Sequence, residues 1–225
     1  MTLQIGFLLF PQVQPLDLCG PYDVLASMPD TQVRLVWKHR EAVVSATGMR
    51  LTPDTVFDDC PPLDVLCVPG GSGVGPLLED DATLAFIQRQ ARHARYVTSV
   101  CTGALVLGAA GLLRGRRATT HWAFHALLEP FGAIPVHERV VRDGSLITGG
   151  GITAGIDFAL TLAAELIGDD AAQALQLELE YAPAPPFDAG SPHSAPPAIV
   201  ERVRQQNAAT LAQRTLIVER AAAKL

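Results

Sequence analysis

The chain has 225 residues, 48% hydrophobic and 18% charged, long enough for one α/β domain with a sizeable core and too apolar for a disordered polypeptide. Its 23 acidic and 17 basic residues leave a net charge of −6, and no Lys/Arg cluster provides the footprint that a phosphate backbone requires, so no nucleic-acid partner is expected. Four cysteines, Cys19, Cys60, Cys67 and Cys101, match neither a disulfide framework nor zinc-ligand spacing, which points to a reducing cytoplasm and to cysteine kept for its reactivity.

In chain order, Leu3 to Phe10 reads as a first strand, since the apolar opening lacks the positive lead and cleavage site of a secretory signal. Pro11 to Pro15 reads as a loop and Pro21 to Ala26 as a short helix, proline being well tolerated in a first turn. Val33 to Trp37 and Leu63 to Val68 are further strand candidates, the second a continuous apolar run of the kind covered on both faces, ending at Pro69-Gly70-Gly71. A helix capped by Asp81 is expected through His93, with Leu84, Phe86, Ile87 and Ala91 on its apolar face. Tyr96 to Val100 is another buried strand.

Next come a small-residue helix from Thr102 to Gly111, a second from Thr119 to Leu128, and a hairpin from Arg139 to Thr148 turning at Asp143-Gly144. The run Gly149-Gly150-Gly151 opens a helix from about Thr153 to Ile167, followed by another from Asp169 to Tyr181. Strands alternating with helices imply a mainly parallel sheet sandwiched between helical layers. Ala182 to Pro197 contains six prolines and reads as an irregular arm leading to a last helix, Ala198 to Ala223, whose Ile199, Val203, Leu211 and Val218 can pack on the domain or on a second subunit. Val97 to Leu113 and Gly150 to Ile167 approach membrane-span length, but internal glycines and the charges Asp157 and Glu165 make them core elements, and no membrane partner is expected.

Sites in doubly wound sheets form just outside the carboxyl ends of the strands. Three segments there carry chemistry: the one containing Asp17, the Gly70-Gly71 turn and the turn at Cys101. Ser99-Val100-Cys101-Thr102-Gly103 puts a thiol where a strand becomes a helix, a nucleophile elbow whose helix N–H groups favour thiolate over thiol; the alternative is a buried structural cysteine. Asp17, between Leu16 and Leu18, is a carboxyl in an apolar setting that desolvation suits to proton transfer near neutral pH; alternatively it caps the following helix. Gly70 and Gly71 can donate amides to developing negative charge or form a plain turn. The glycine run can bring the helix start near Ile152 against the sulfur. His121 and His125, four apart, can share a helix face, but no third ligand accompanies them and no metal is expected. Cys67 reads as core, Cys60 as a loop residue, and Cys19 as a candidate pocket neighbour of Asp17.

Phe10-Pro11 with Asp17 and Gly20-Pro21, Val68-Pro69-Gly70-Gly71, and Val100-Cys101-Thr102-Gly103 together resemble the PfpI-like superfamily, with its class I glutamine amidotransferase-like fold, over about residues 3–180. More narrowly, Leu16-Asp17-Leu18, Cys101-Thr102-Gly103, Arg117 to Trp122 and Tyr181 to Phe187 resemble its isocyanide hydratase branch. The resemblance implies a flavodoxin-like α/β domain over residues 1–182, with residues 183–225 as arm and helix packing on the domain or on a homodimer partner. It implies hydration of an isocyanide to an N-substituted formamide, with no cofactor, through a covalent thioimidate on Cys101 and with Asp17 as general acid and base. Thr102 is then expected to orient the carboxyl group, and the amides of Gly71 and Ile152 to steady the sulfur or the developing charge. Members of the superfamily commonly carry Glu where Asp17 stands, and protease-like members carry His where Thr102 stands, which argues against peptidase chemistry here. Arg117 to Trp122 also resembles the ligand domain of certain AraC-type regulators, so small-molecule sensing is the competing reading, although no helix-turn-helix module is visible in the chain. A redox-responsive relative using the same sulfur is a third.

Overall fold

The computed structural model describes residues 2–225, so Met1, the first residue of the expected domain, lies outside the described residues. The elements run β1 (Leu3–Leu8), α1 (Pro15–Ala26), β2 (Thr31–Trp37), and the short strands β3 (Val43–Val44), β4 (Arg50–Leu51) and β5 (Thr55–Val56). Then follow β6 (Val65–Val68), α2 (Val74–Leu77), α3 (Asp81–Ala91), β7 (Tyr96–Val100), α4 (Gly103–Ala109), β8 (Arg117–Ala118) and a 3₁₀ helix at Trp122–Phe131. The chain closes with β9 (Ile134–Pro135), β10 (Val140–Asp143), β11 (Leu146–Gly149), α5 (Ala154–Ile167), α6 (Asp169–Glu178) and α7 (Pro197–Ala222).

The seven-stranded sheet has the order β10-β11-β7-β6-β1-β2-β5. All its pairings are parallel except β10 with β11, the hairpin that turns at Asp143 and Gly144, the latter at φ +60°. After β1 the chain moves outward to β2, then returns to the other side of β1 to lay down β6, β7 and β11. Right-handed crossovers in opposite directions put helices on opposite faces: α1, α5 and α6 pack together on one, and α3, α4, the 3₁₀ helix and α7 form the other. The switch point lies between β1 and β6, which brings the segments holding Asp17 and Gly70 to one crevice. β6 (Val-Leu-Cys-Val) is buried at every position, as a strand covered on both faces must be.

Several boundaries differ from the expectation for identifiable reasons. α1 begins at Pro15 instead of Pro21. Pro15 occupies the first turn, where its missing N–H costs nothing, while Pro21 sits inside the helix and removes one internal hydrogen bond. Asp17 is therefore helical rather than in a loop, and the loop ends before Pro15. α1 lies close on α5 because Gly20 and Gly155 leave room there; a methyl on Gly155 would stand 3.0 Å from Pro21 Cδ. The cap of α3 is Asp80, whose side chain accepts from Thr83 N, one residue before the expected Asp81. The expected helix from Thr119 is a 3₁₀ helix that starts later, with His121 as its cap.

Candidate active site

Cys101 follows β7 directly and takes φ +54°, in the left-handed region that non-glycine residues avoid. The surroundings hold it there. Its N–H donates to Gly149 O at 3.0 Å, and its carbonyl accepts from Thr120 Oγ1 at 2.8 Å. Gly103 lets α4 approach β6: a Cβ at that position would stand 2.0 Å from Val68 O. The sharp strand-to-helix turn is thus over-determined, and it projects the sulfur into the crevice.

Asp17 is fully buried. Its Oδ2 accepts from Gly70 N at 3.0 Å, while Oδ1 has no hydrogen-bond partner. It is not the helix cap, a position held by Gln14. Burial pushes its carboxyl up to about 7, against smaller opposing effects from the Gly70 N–H and the Cys101 thiol. Gly70 is needed at this contact, because a Cβ there would meet Thr102 N at 2.6 Å and Asp17 Oδ2 at 2.8 Å.

The thiol is held above its ordinary value by burial first, then by the Asp17 charge, with the Thr102 N–H and Arg214 acting in the opposite direction. The expected helix N–H influence is present through Thr102, and burial and the Asp17 charge act against it. One amide at the start of a short helix does not outweigh desolvation and a facing carboxylate. Burial thus acts against the charged form of both groups, and the Asp17 charge adds to it at the sulfur.

Thr102 is buried, but its hydroxyl accepts from Gly71 N at 3.2 Å. It thereby fixes the Gly70-Gly71 turn and holds the carboxyl through that turn instead of by a direct bond. The Gly71 N–H, expected at the sulfur, is engaged by Thr102. Gly71 also has φ +139°, and a Cβ there would collide with Gln12 O at 2.4 Å. Cys101, Thr102, Gly71 and Ile152 line one cavity of about 280 Å³. Asp17 is not among the lining residues; it is buried beside the Cys101 thiol, with which it interacts. Cys19 is not among the lining residues, and burial with the nearby Asp23 raises its thiol. Cys67 is core, bonded by Thr98 Oγ1 and pushed up to about 12.

His121 lines the cavity too, and its Nδ1 accepts from Ala123 N at 3.3 Å. His125 contacts Thr119 Oγ1 through Nε2 at 3.2 Å and stacks on His137 at 3.8 Å between centroids. Both histidines line a second cavity, together with His137; His121 stands at the cap of the 3₁₀ helix and His125 within it. Sequence reasoning missed the contribution of α7: Asn207, Thr210 and Arg214 complete the cavity wall. α7 thus closes one side of the cavity.

A sequence profile of the DJ-1/PfpI family matches residues 4–165. The chain is 71% identical over all 225 residues to the isonitrile hydratase of Pseudomonas putida, covering 99% of that protein. It is 30% identical over 166 residues to an HTH-type transcriptional regulator of Pseudomonas aeruginosa, spanning 45% of the regulator's length. Among solved structures, a THiJ/PfpI family protein from Pseudomonas syringae superposes with a TM-score of 0.93 at 41% identity, covering 99% of this chain and 91% of that one.

Proposed function

The chain belongs to the DJ-1/PfpI family, and from that premise we propose that it hydrates isocyanides to N-substituted formamides, with Cys101 as nucleophile and Asp17 as general acid and base. The observation that carries this reading is a cavity-lining sulfur on a strained turn beside a fully buried carboxyl, which burial pushes up to about 7. That pair can shuttle one proton near neutral pH, which is what adding H and OH to the same carbon demands.

Asp17 first takes the thiol proton. The sulfur then forms a bond to the terminal carbon of R–N≡C while the proton passes from Asp17 to that same carbon, giving the thioimidate R–N=CH–S–Cys101. Water adds next: its oxygen bonds to the carbon, and Asp17 takes one of its protons and passes it to nitrogen. The resulting R–NH–CH(OH)–S–Cys101 collapses, the C–S bond breaks, and the hydroxyl proton returns through Asp17 to sulfur. The product is R–NH–CHO, and the balance is one isocyanide plus one water. The roles of the remaining residues are to hold the pair: Thr102 through the Gly70-Gly71 turn, and Ile152 as cavity wall.

Formamide production followed by mass spectrometry tests the reading. Cys101→Ala should abolish it, and full activity in that variant would falsify the covalent route. Asp17→Asn keeps the acceptor for Gly70 N–H but cannot cycle a proton, so kcat should fall by at least about a hundredfold; an unchanged rate removes Asp17 from the chemistry.

Among the described residues no helix is long and apolar enough to cross a membrane, and all four cysteines are free. We infer a cytoplasmic homodimer, its contacts drawn from the exposed apolar residues Leu177, Phe187 and Leu216 near the arm and α7. Light scattering on the purified chain checks this, and a single-chain mass would overturn it.

A further inference from the structure

α7 buries four residues, Val200, Arg214, Val218 and Ala221, and one of them carries a charge. Arg214 is 6% exposed. Its Nη2 donates to Gly71 O at 2.7 Å, and its guanidinium carbon lies 4.5 Å from the centre of the Phe124 ring. Among the described residues it forms no ion pair with a carboxylate, although exposed arginines of the same chain do. Burying a cation without a counter-ion works against folding, so its place in the fold asks for a compensating role. The cavity it lines also contains Cys101.

We propose that Arg214 is a positioning and charge-balancing residue of the thiol chemistry: it clamps the Gly70-Gly71 turn through the Gly71 carbonyl and supplies the standing positive charge that receives the Cys101 sulfur once its proton has left. The inference deepens the hydratase reading and rests on it only in taking Cys101 as the reacting group. Gly71 is bonded from two sides, its carbonyl by Arg214 and its N–H by Thr102, the residue next to the sulfur. A guanidinium fixed at one end by a carbonyl and on its face by an aromatic ring has little freedom to turn away. Its missing partner is therefore the charge that appears during the reaction.

Three charged or titratable groups face the sulfur from three elements: Asp17 on α1, Arg214 on α7 and His121 at the start of the 3₁₀ helix. Their influences agree with the geometry. Asp17 opposes ionisation of the thiol and Arg214 favours it, and the sulfur in turn favours the charged form of Arg214. Burial, and after it the Arg214 charge, hold His121 below its ordinary value.

The test uses the full chain with Arg214→Gln and Arg214→Lys, and follows alkylation of Cys101 by iodoacetamide across pH, with the modified residue located by peptide mass spectrometry. This measurement needs no isocyanide, so it decides the proposal even if the hydratase reading fails on its own assay. For Arg214→Gln the rate at pH 7 should drop about tenfold and the rise of the profile move up by about one pH unit, the two statements being equivalent. Arg214→Lys should stay near the parent profile because it keeps the charge. With an isocyanide as substrate, Arg214→Gln should lower kcat about tenfold while KM changes little. A glutamine profile superimposed on the parent, or a lysine profile displaced as far as the glutamine one, overturns the proposal. If the glutamine variant does not fold, Arg214→Met, which keeps an apolar stem over Phe124, takes its place with the same criteria.

Discussion

Asp17 works against the stability of the molecule that contains it. Its native carboxyl titrates near 7 against an ordinary 3.8, so between those values the native state holds a proton that the unfolded chain has released. Stability therefore falls as pH rises from about 4 to about 7 and is level above that window. Asp17→Asn removes the effect, and we expect it to stabilise the fold at pH 8 by on the order of a few kcal/mol. Urea titrations at pH 5 and pH 8 check this, since the advantage must grow with pH; equal gains at both would refute the burial account. The same group sets the activity profile. The competent pair carries one proton in total, so kcat/KM should climb from pH 5 to pH 8 with an apparent midpoint near 7, a value belonging to the pair and not to either residue alone. A profile flat over that range would separate Asp17 from the rate. Residue identities here were legible because a cysteine after a buried strand and an aspartate among leucines are both locally out of place. The burial and the Asp17 charge that act on the sulfur were not legible, because they depend on groups distant from it in sequence.

Glycines at close approaches decide how the elements meet. α4 can follow Cys101 so closely only because Gly103, its first residue, has no side chain to strike the Val68 carbonyl. Gly103→Ala should lower stability by about 1–3 kcal/mol through overpacking, read from the denaturant midpoint, and should displace the turn that presents the sulfur. A midpoint unchanged from the parent would mean that β6 and α4 can separate without cost. Strand β6 was readable from its continuous apolar run, β1 and β7 from largely apolar or β-branched stretches, and the hairpin from Asp143-Gly144. The start of α1 was misplaced because Pro21 carries the same signal as a first-turn proline, whereas the true start has Pro15 in that role. The short strands β3, β4, β5, β8 and β9 have two residues each, too few for any periodicity to register. The 3₁₀ helix shares its apolar composition with an α-helix and differs from it only in a hydrogen-bond pattern that the sequence does not display.

On the scale of the whole molecule, the sheet and its two helical layers follow from the alternation of strands and helices, and the crevice between β1 and β6 follows from the strand order. What the sequence concealed was the reach of α7. Its 26 residues carry several arginines in an amphipathic pattern, and nothing local distinguishes Arg214, which turns inward, from those in solvent. Only the path of the arm over the 3₁₀ helix determines which one meets the cavity.

His121 and Ile152 border the cavity of Cys101 and also a second cavity of about 310 Å³ that holds His125, His137 and Arg139. These two residues therefore stand between adjoining cavities, and on the hydratase reading we expect the organic tail of the isocyanide to be confined to one of them. Thinning this boundary with Ile152→Ala should merge the cavities and raise kcat/KM for bulky isocyanides relative to small ones, a selectivity ratio measured in one competition assay. A ratio that stays constant would mean that the tail leaves by another route. Selection on substrate size can then act at position 152 while the thiol and carboxyl stay untouched.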